Sequence, residues 1–162
     1  MNANINIQNE QQFPVDNQQL ELAIQAILAD QNIDKTSGVS IVVTDNDAVT
    51  ALNQQFRGID APTDVLSFPA DTPPIDIPDE PDYLGDLVIA YPYALEQAKR
   101  EQHLMQDSIV LLVVHGTLHL LGYDHDTPDA RRGMWAVQER ILRQLNVPIH
   151  IVPALEGHIN DE

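Results

Sequence analysis

The stretch SIVLLVVHGTLHLL, residues 108–121, predicts a helix that is apolar on nearly every face. A helix that is hydrophobic all round belongs in the interior of a protein, whereas a surface helix keeps one polar side. We therefore expect this helix to lie at the centre of the fold, with Asp107 as its N-cap and Gly122 at its end. The other elements are expected to pack around it.

Short β-branched runs and amphipathic helices precede this stretch, and one more helix follows it. Strands are predicted around Ile5 and Ile7, on a sheet edge, and at residues 39–44, 64–68 and 84–90. Helices are predicted at residues 17–30, from Asp45 to Gly58, from Pro92 to His103 and after Thr127, with an acidic, proline-rich surface loop after Pro69. The pattern indicates an α+β fold in which a small mixed β-sheet packs against several helices.

The length and composition of the chain indicate one globular unit. A chain of 162 residues with 43% hydrophobic residues fits a single domain, residues 1–162, with a loose tail after about residue 150. Cysteine is absent, so any metal ion must be held by His, Asp or Glu. The polar N-terminus lacks a secretory signal pattern, and no apolar run approaches the length of a membrane span. We therefore expect a cytoplasmic protein with no membrane partner.

The charge balance is strongly acidic. The chain contains 25 Asp and Glu residues but only 8 Lys and Arg residues, which gives a formal net charge of -17. Such a surface repels nucleic acid at long range, although net charge alone says little about one local site. If the substrate is RNA, the few cations must be concentrated where it binds.

Three histidines in and just after the apolar helix have the spacing of ligands to one metal ion. His115 and His119 are four residues apart, which puts their Cβ atoms on one helix face about 5–6 Å apart. Gly122 lets the chain leave the helix, and His125 follows shortly after it. Three nitrogen ligands leave the fourth position of a tetrahedral zinc site open, the pattern of a catalytic site. We predict one divalent ion, Zn²⁺ first, with nickel, copper and cobalt as alternatives.

Gly116 lies between the first two predicted ligands and bears on two interpretations. A glycine within a buried helix costs about 0.5–1 kcal/mol relative to alanine, so something is expected to approach the helix closely there. Metzincin proteases share this ligand spacing but carry a glutamate, the general base, at the position of Gly116. A zincin-type protease is therefore disfavoured but stays an alternative. Asp124, next to His125, is a candidate hydrogen-bond partner for a ligand imidazole.

Arg57 is the one base between Lys35 and Lys99, in an otherwise acidic region. A guanidinium group can bind a phosphate through two parallel hydrogen bonds and can stabilise charge that develops on phosphoryl oxygens. A surface salt bridge to one of the many acids is the alternative explanation.

Three separate motifs occur together in this chain. They are RGIDAPTDVLSFP at residues 57–69, Gly85 and Asp86 at the start of a strand, and HGTLHLLGYDH at residues 115–125. In this order they closely resemble the YbeY family of bacterial zinc-dependent endoribonucleases and ribosomal RNA maturation factors. The resemblance extends from about residue 53 to residue 145.

The resemblance implies an endoribonuclease that cleaves single-stranded RNA in ribosomal RNA maturation and ribosome quality control. It makes His115, His119 and His125 the metal ligands and Arg57 the catalytic basic residue, and it likens Asp86 to a position implicated in contact with the ribosome. A plain strand-end acid is an equally fair interpretation of Asp86. The implied partners are ribosomal RNA precursors and the ribosome or ribosomal proteins. A non-catalytic assembly factor with a structural metal stays an alternative, since an acidic surface suits basic ribosomal proteins.

Half of the cations lie in the last predicted helix, as Arg131, Arg132, Arg140 and Arg143. They either line an RNA path or balance nearby acids. Arg131 and Arg132 follow directly after the histidine stretch, which favours a modest electrostatic role in RNA binding for these two.

Overall fold

The computed structural model describes residues 4–70 and 82–148, so most of the predicted acidic loop and the predicted loose tail lie outside the described residues. In chain order the elements are β1 (Asn4–Gln8), α1 (Asn17–Asp30), β2 (Gly38–Thr44), α2 (Asn46–Arg57), β3 (Val65–Pro69), β4 (Tyr83–Ala90), α3 (Tyr91–Glu101), α4 (Met105–Leu120) and α5 (Pro128–Gln144). Within the described ranges, the predicted α+β composition is confirmed.

The four strands of the described chain form one mixed sheet in the order β1-β2-β4-β3. β1, β2 and β4 run parallel, and β3 runs antiparallel to β4. The predicted edge position of the first strand is confirmed. In the β3–β4 pair, Val65 lies opposite Ile89 and Pro69 lies opposite Gly85. The last residues of β3 therefore lie beside the first residues of β4, at one end of the sheet.

The sheet separates two apolar clusters because successive side chains of a strand point to opposite faces. Leu87 and Ile89 of β4 join the larger cluster, which also contains the buried side chains of α1, α4 and α5. Val88 and Ala90 join a smaller cluster with Val49 of α2. One face of the sheet thus adjoins the larger cluster, to which α1, α4 and α5 contribute, and the other adjoins the smaller cluster of α2.

Helix α4 is the buried helix that residues 108–121 predict. Eleven of its sixteen residues are buried, and it contacts α1, α3, α5, β3 and β4. The predicted start was wrong: α4 begins at Met105, after an extended Leu104 that provides no side-chain cap. Asp107 lies in the first turn instead, where a carboxylate interacts favourably with the positive end of the helix dipole.

The predicted starts of α1, α2 and α5 and the predicted end of α2 agree with the structure, whereas α3 ends at Glu101 and α4 at Leu120, slightly before their predicted ends. Asp16, Asp45 and Thr127 each accept a hydrogen bond from a backbone N–H in the first turn of the helix that follows. Gly58 ends α2 in the left-handed conformation, at φ 69°. The cap at Gly58 fixes the end of α2, where Arg57 lies, and the cap at Thr127 fixes the start of α5. Among the described residues, no helix has both the length and the apolar character needed to cross a membrane.

Candidate metal centre

The three predicted ligands lie together in the structure. His115 and His119 occupy successive turns of α4, and the candidate ligand atoms of these two residues and His125 all lie within 4.8 Å of one another. The Nε2 atoms of His115 and His119 are 3.1 Å apart. Two nitrogens bound to one tetrahedral zinc ion would be about 3.3 Å apart, given Zn–N bonds of about 2.0–2.1 Å. The group could therefore hold a metal ion.

A tight loop after α4 carries His125 back to the helix. Gly122 has a φ of 99°, a conformation that side-chain-bearing residues rarely adopt. The backbone N–H of Tyr123 donates to the carbonyl of Leu118 at 3.0 Å, and the Asp124 carboxylate accepts from the backbone N–H of His125 at 2.8 Å. This observed contact of Asp124 holds the backbone of a candidate ligand, and a contact with a ligand ring stays a prediction.

Two of the candidate ligands are oriented through their Nδ1 atoms. The Nδ1 of His115 lies 2.7 Å from the amide oxygen of Gln138, and the Nδ1 of His119 lies 2.9 Å from the carbonyl oxygen of Tyr123. Both oxygens are acceptors, so each Nδ1 carries the proton and donates it. Each Nε2 then has a free lone pair, which is the form that binds a metal ion.

Sequence reasoning missed Gln138. This residue is fully buried and lies on α5 between Met134 and Ile141, both of which belong to the buried side of that helix. A polar residue in the middle of an apolar helical stripe is unusual unless it has a buried partner. That interruption of the stripe was the available signal.

The protonation of His119 also suits metal binding. Burial lowers the pKa of the His119 imidazole, and electrostatic repulsion from the neighbouring His125 acts in the same direction. The hydrogen bond to the Tyr123 carbonyl and the charge of Asp124 act in the opposite direction without reversing the shift. His119 is therefore neutral at physiological pH, as a metal ligand must be.

The close approach predicted at Gly116 is made by the sheet. A Cβ added at Gly116 would lie 2.8 Å from the Leu87 Cδ2 and 3.2 Å from the Ser67 hydroxyl oxygen. The same hydroxyl donates to the Gly116 carbonyl at 3.3 Å. This glycine thus sets how closely α4 packs on β3 and β4, and its presence is not in itself a sign of a metal ion.

Arg57 is the last residue of α2 and is half-buried. Its neighbour Phe56 packs edge-on against Phe68 near the end of β3, with ring centroids 5.2 Å apart. On the opposite face of the sheet, Leu120 at the end of α4 packs against Gly85, which pairs with the last residue of β3. Helices α2 and α4 therefore end at the same end of the sheet, on opposite faces.

Asp86 lies on β4 at this end of the sheet, on the same face as Val88 and therefore on the α2 side. The Tyr83 hydroxyl donates to the Asp86 carboxylate and also hydrogen-bonds the Ser40 hydroxyl at 2.9 Å. Burial and this hydrogen bond raise the pKa of Tyr83. Asp86 therefore has a local structural role, and a contact with the ribosome stays a prediction.

Comparison with known proteins supports the resemblance in the sequence motifs. The family profile described as Endoribonuclease YbeY matches residues 5–146. A protein named Endoribonuclease YbeY from Geobacillus thermodenitrificans is 42% identical over 133 residues, which cover 79% of this chain and 85% of the relative. One of the same name from Chloroflexus aurantiacus is 39% identical over 148 residues, which cover 89% of this chain and 96% of the relative.

The fold is also similar to a solved structure. The solution structure of TM1509 from Thermotoga maritima has a TM-score of 0.60 and 26% identity, and the match covers 87% of this chain and 88% of that one. Sequence and fold thus agree over most of the chain, and the family profile spans the three histidines. The chain belongs to the YbeY endoribonuclease family.

Proposed function

We propose that this protein is a metal-dependent endoribonuclease that cleaves single-stranded RNA during the maturation of ribosomal RNA. The observation that carries the proposal is the histidine cluster, in which two Nε2 lone pairs converge at 3.1 Å and a third imidazole lies within 4.8 Å. Family membership supplies the reaction class. The motif at Arg57 supplies the group that suits a phosphate.

The proposed ligand set is His115, His119 and His125, and three imidazoles favour Zn²⁺ among the divalent ions. When bound, the ion would supply Lewis-acid polarisation of a phosphoryl oxygen, or would lower the pKa of a water molecule. The protein's contribution is the orientation of the rings. Gln138 and the Tyr123 carbonyl hold two of them with Nε2 directed inward.

Arg57 is proposed to hold the scissile phosphate and to offset the charge that develops on its oxygens. The loop that follows Arg57 is fixed by local hydrogen bonds. The Asn53 amide donates to the carbonyl of Ala61 at 2.8 Å, and the Asp64 carboxylate accepts from the backbone N–H of Val65 at 2.8 Å. A fixed loop keeps the end of α2 in one position and reduces the cost of ordering Arg57 on the substrate.

Two nucleophiles fit this arrangement, and the products distinguish them. Attack by the 2′-hydroxyl of the RNA leaves a 2′,3′-cyclic phosphate on the 5′ fragment. Attack by water leaves a linear phosphate. Mass spectrometry of the cleaved fragments identifies which group attacks.

The proposed partners are ribosomal RNA precursors and the ribosome, which would place the protein in the cytoplasm. The proposed ribosome contact is Asp86, which lies beside the half-exposed Tyr83 on the α2 face of the sheet. The zincin alternative is disfavoured further, because a side chain at position 116 would displace the Leu87 side chain that now packs against Gly116.

The test is cleavage of a single-stranded RNA by Arg57→Ala and His119→Ala. Both variants are expected to cleave more than about 100-fold more slowly than the wild-type protein. His119→Ala should also lose its metal ion by elemental analysis, whereas Arg57→Ala should keep it. Matched controls are Arg100→Ala, on the exposed side of α3, and His103→Ala, after α3. If both site variants cleave like the controls, the catalytic assignment is wrong.

A further inference from the structure

A cavity of about 490 Å³ lies directly beside the histidine cluster. It is lined by His125, by the first turn of α5 and by the side chains of Arg131, Arg132 and Trp135. This volume falls within the range of about 300–1,000 Å³ that is typical of small-ligand sites. Because a candidate metal ligand forms part of its wall, a molecule in this cavity would lie next to the reaction centre.

Trp135 connects the cavity to the candidate metal ligands. Its ring meets His125 edge-on at a centroid distance of 5.6 Å and His115 at 6.0 Å. The guanidinium of Arg131 lies over the Trp135 ring, 5.2 Å from its centroid. An arginine packed on an indole face is held by a cation–π interaction and presents a planar, positively charged surface.

The two arginines of the cavity wall differ in their surroundings. Arg132 is exposed and forms an ion pair with Asp129, one turn earlier on α5. Arg131 is half-buried and lies against Trp135. Of the two arginines, Arg131 is therefore the one that contributes to an aromatic–cationic surface, and Arg132 pairs with a neighbouring acid.

The cavity does not favour every anion. Asp126 is one of its lining residues and Asp129 lies in the adjoining first turn of α5, so two carboxylates oppose the charge of the arginines. The positive end of the α5 dipole compensates in part. With these opposing charges, electrostatic attraction contributes little to the binding of a bare phosphate. A nucleotide binds more strongly because its base can also stack, as bases in single-stranded RNA do on aromatic rings and on guanidinium planes.

We propose that this cavity binds a nucleotide of the substrate RNA adjacent to the scissile phosphate. The base stacks on the Arg131 guanidinium that Trp135 supports, and the neighbouring phosphate accepts hydrogen bonds from Arg131. The inference rests on the proposed function, which makes single-stranded RNA the substrate. It adds a second contact with RNA, separate from Arg57 and on the other side of the sheet.

Trp135 makes this proposal directly testable, because it is the one tryptophan of the chain. Zinc-loaded protein is titrated with a single-stranded 2′-O-methyl oligoribonucleotide while tryptophan fluorescence is recorded. Fluorescence anisotropy of a labelled oligonucleotide reports binding independently. We expect quenching that follows the binding curve, and an approximately tenfold weaker affinity for Arg131→Met. Arg143→Met removes the same charge from the exposed last turn of α5 and should bind like wild type.

Three outcomes would overturn the proposal: saturation of binding without a fluorescence change, equal affinities for the two arginine variants, or equal quenching by a polyglutamate peptide. The readout does not need cleavage, so the two proposals fail separately. Quenching with the expected Arg131 dependence, by a protein that cuts no RNA, would keep the nucleotide site and reject the nuclease assignment. Cleavage of RNA with none of the expected quenching would do the reverse.

Discussion

The two faces of the sheet differ in how deeply they bury their side chains. On one face, Leu118 and His115 of α4 are 0% and 1% exposed. The other face buries a smaller cluster around Val49 of α2, and at its margin Phe56 at the end of α2 is 59% exposed and Tyr83 is 49% exposed. The buried face holds the candidate metal ligands and the exposed face carries Arg57. The difference teaches that a fixed ligand geometry needs a packed interior, whereas Arg57, the proposed RNA contact, lies half-buried among exposed neighbours.

The largest expected effect compares the two faces directly. Leu118→Ala, in the buried face, should lower the free energy of unfolding by about 2–5 kcal/mol, because the cavity it leaves is only partly filled by relaxation. Phe56→Ala, on the exposed face, should cost about 1 kcal/mol, since it removes little more than the edge contact with Phe68. Urea denaturation with a chelator present measures both, because a bound metal would add stability of its own.

Equal decreases in the free energy of unfolding for these two variants would contradict the proposed difference between the two faces. They would mean that the end of α2 contributes as much to the folded state as the centre of α4. The exposed side chain of Phe56 would then need a packing role that its surroundings do not suggest.

The same contrast explains what the sequence could predict. His115, His119 and His125 are separated by one helical turn and one tight loop, so local geometry alone predicts that they meet. The position of Arg57 depends on the pairing of β3 with β4, which no spacing rule reveals. Family resemblance predicts a functional role for Arg57, but only the structure shows at which end of the sheet it lies.

Two further details depended on packing between distant elements. The sequence predicts a close approach at Gly116, and the neighbour that makes it is Leu87 on the sheet. The sequence does not single out Gln138, because its partner, His115, lies 23 residues earlier in the chain. Residues of this kind are specified by what they touch after folding, and their own sequence neighbours carry little information about it.

A smaller effect is expected for Gln138→Leu, which tests whether the buried face orients the ligands. Loss of the acceptor for the His115 Nδ1 proton should weaken zinc binding by about 10–100-fold, the usual effect of removing a partner of a metal-bound histidine. Gln138→Glu, which keeps an acceptor, should restore tight binding. Gln144→Leu at the exposed end of α5 is the matched control. Competition with a chromophoric chelator gives the affinities.

A purely structural role for Gln138 would give another result. Zinc affinity would then be unchanged in folded Gln138→Leu, and the ring NMR signals of His115 would show the same tautomer in both proteins. That outcome would show that Gln138 fills space in the buried face but does not orient the His115 ring.

The smallest expected effect lies at the rim of the buried face, where charge replaces packing. Arg140 of α5 binds Asp30 at the end of α1 through two hydrogen bonds of 2.8 Å, and half of the Arg140 side chain is exposed. The hydrogen bond to Arg140 lowers the pKa of Asp30 below its ordinary value. The stabilisation is therefore complete above the unfolded-state pKa of about 3.9, and it is lost as the pH falls through the lowered folded-state pKa.

Arg140→Met should lower the Tm at neutral pH by no more than about 4 °C. The difference from wild type should shrink toward zero on acidification, with Arg143→Met as the control. A difference that stays constant with pH would show that the Arg140 methylenes stabilise α5 by packing. The rim and the interior would then both be stabilised by packing and would differ only in its amount.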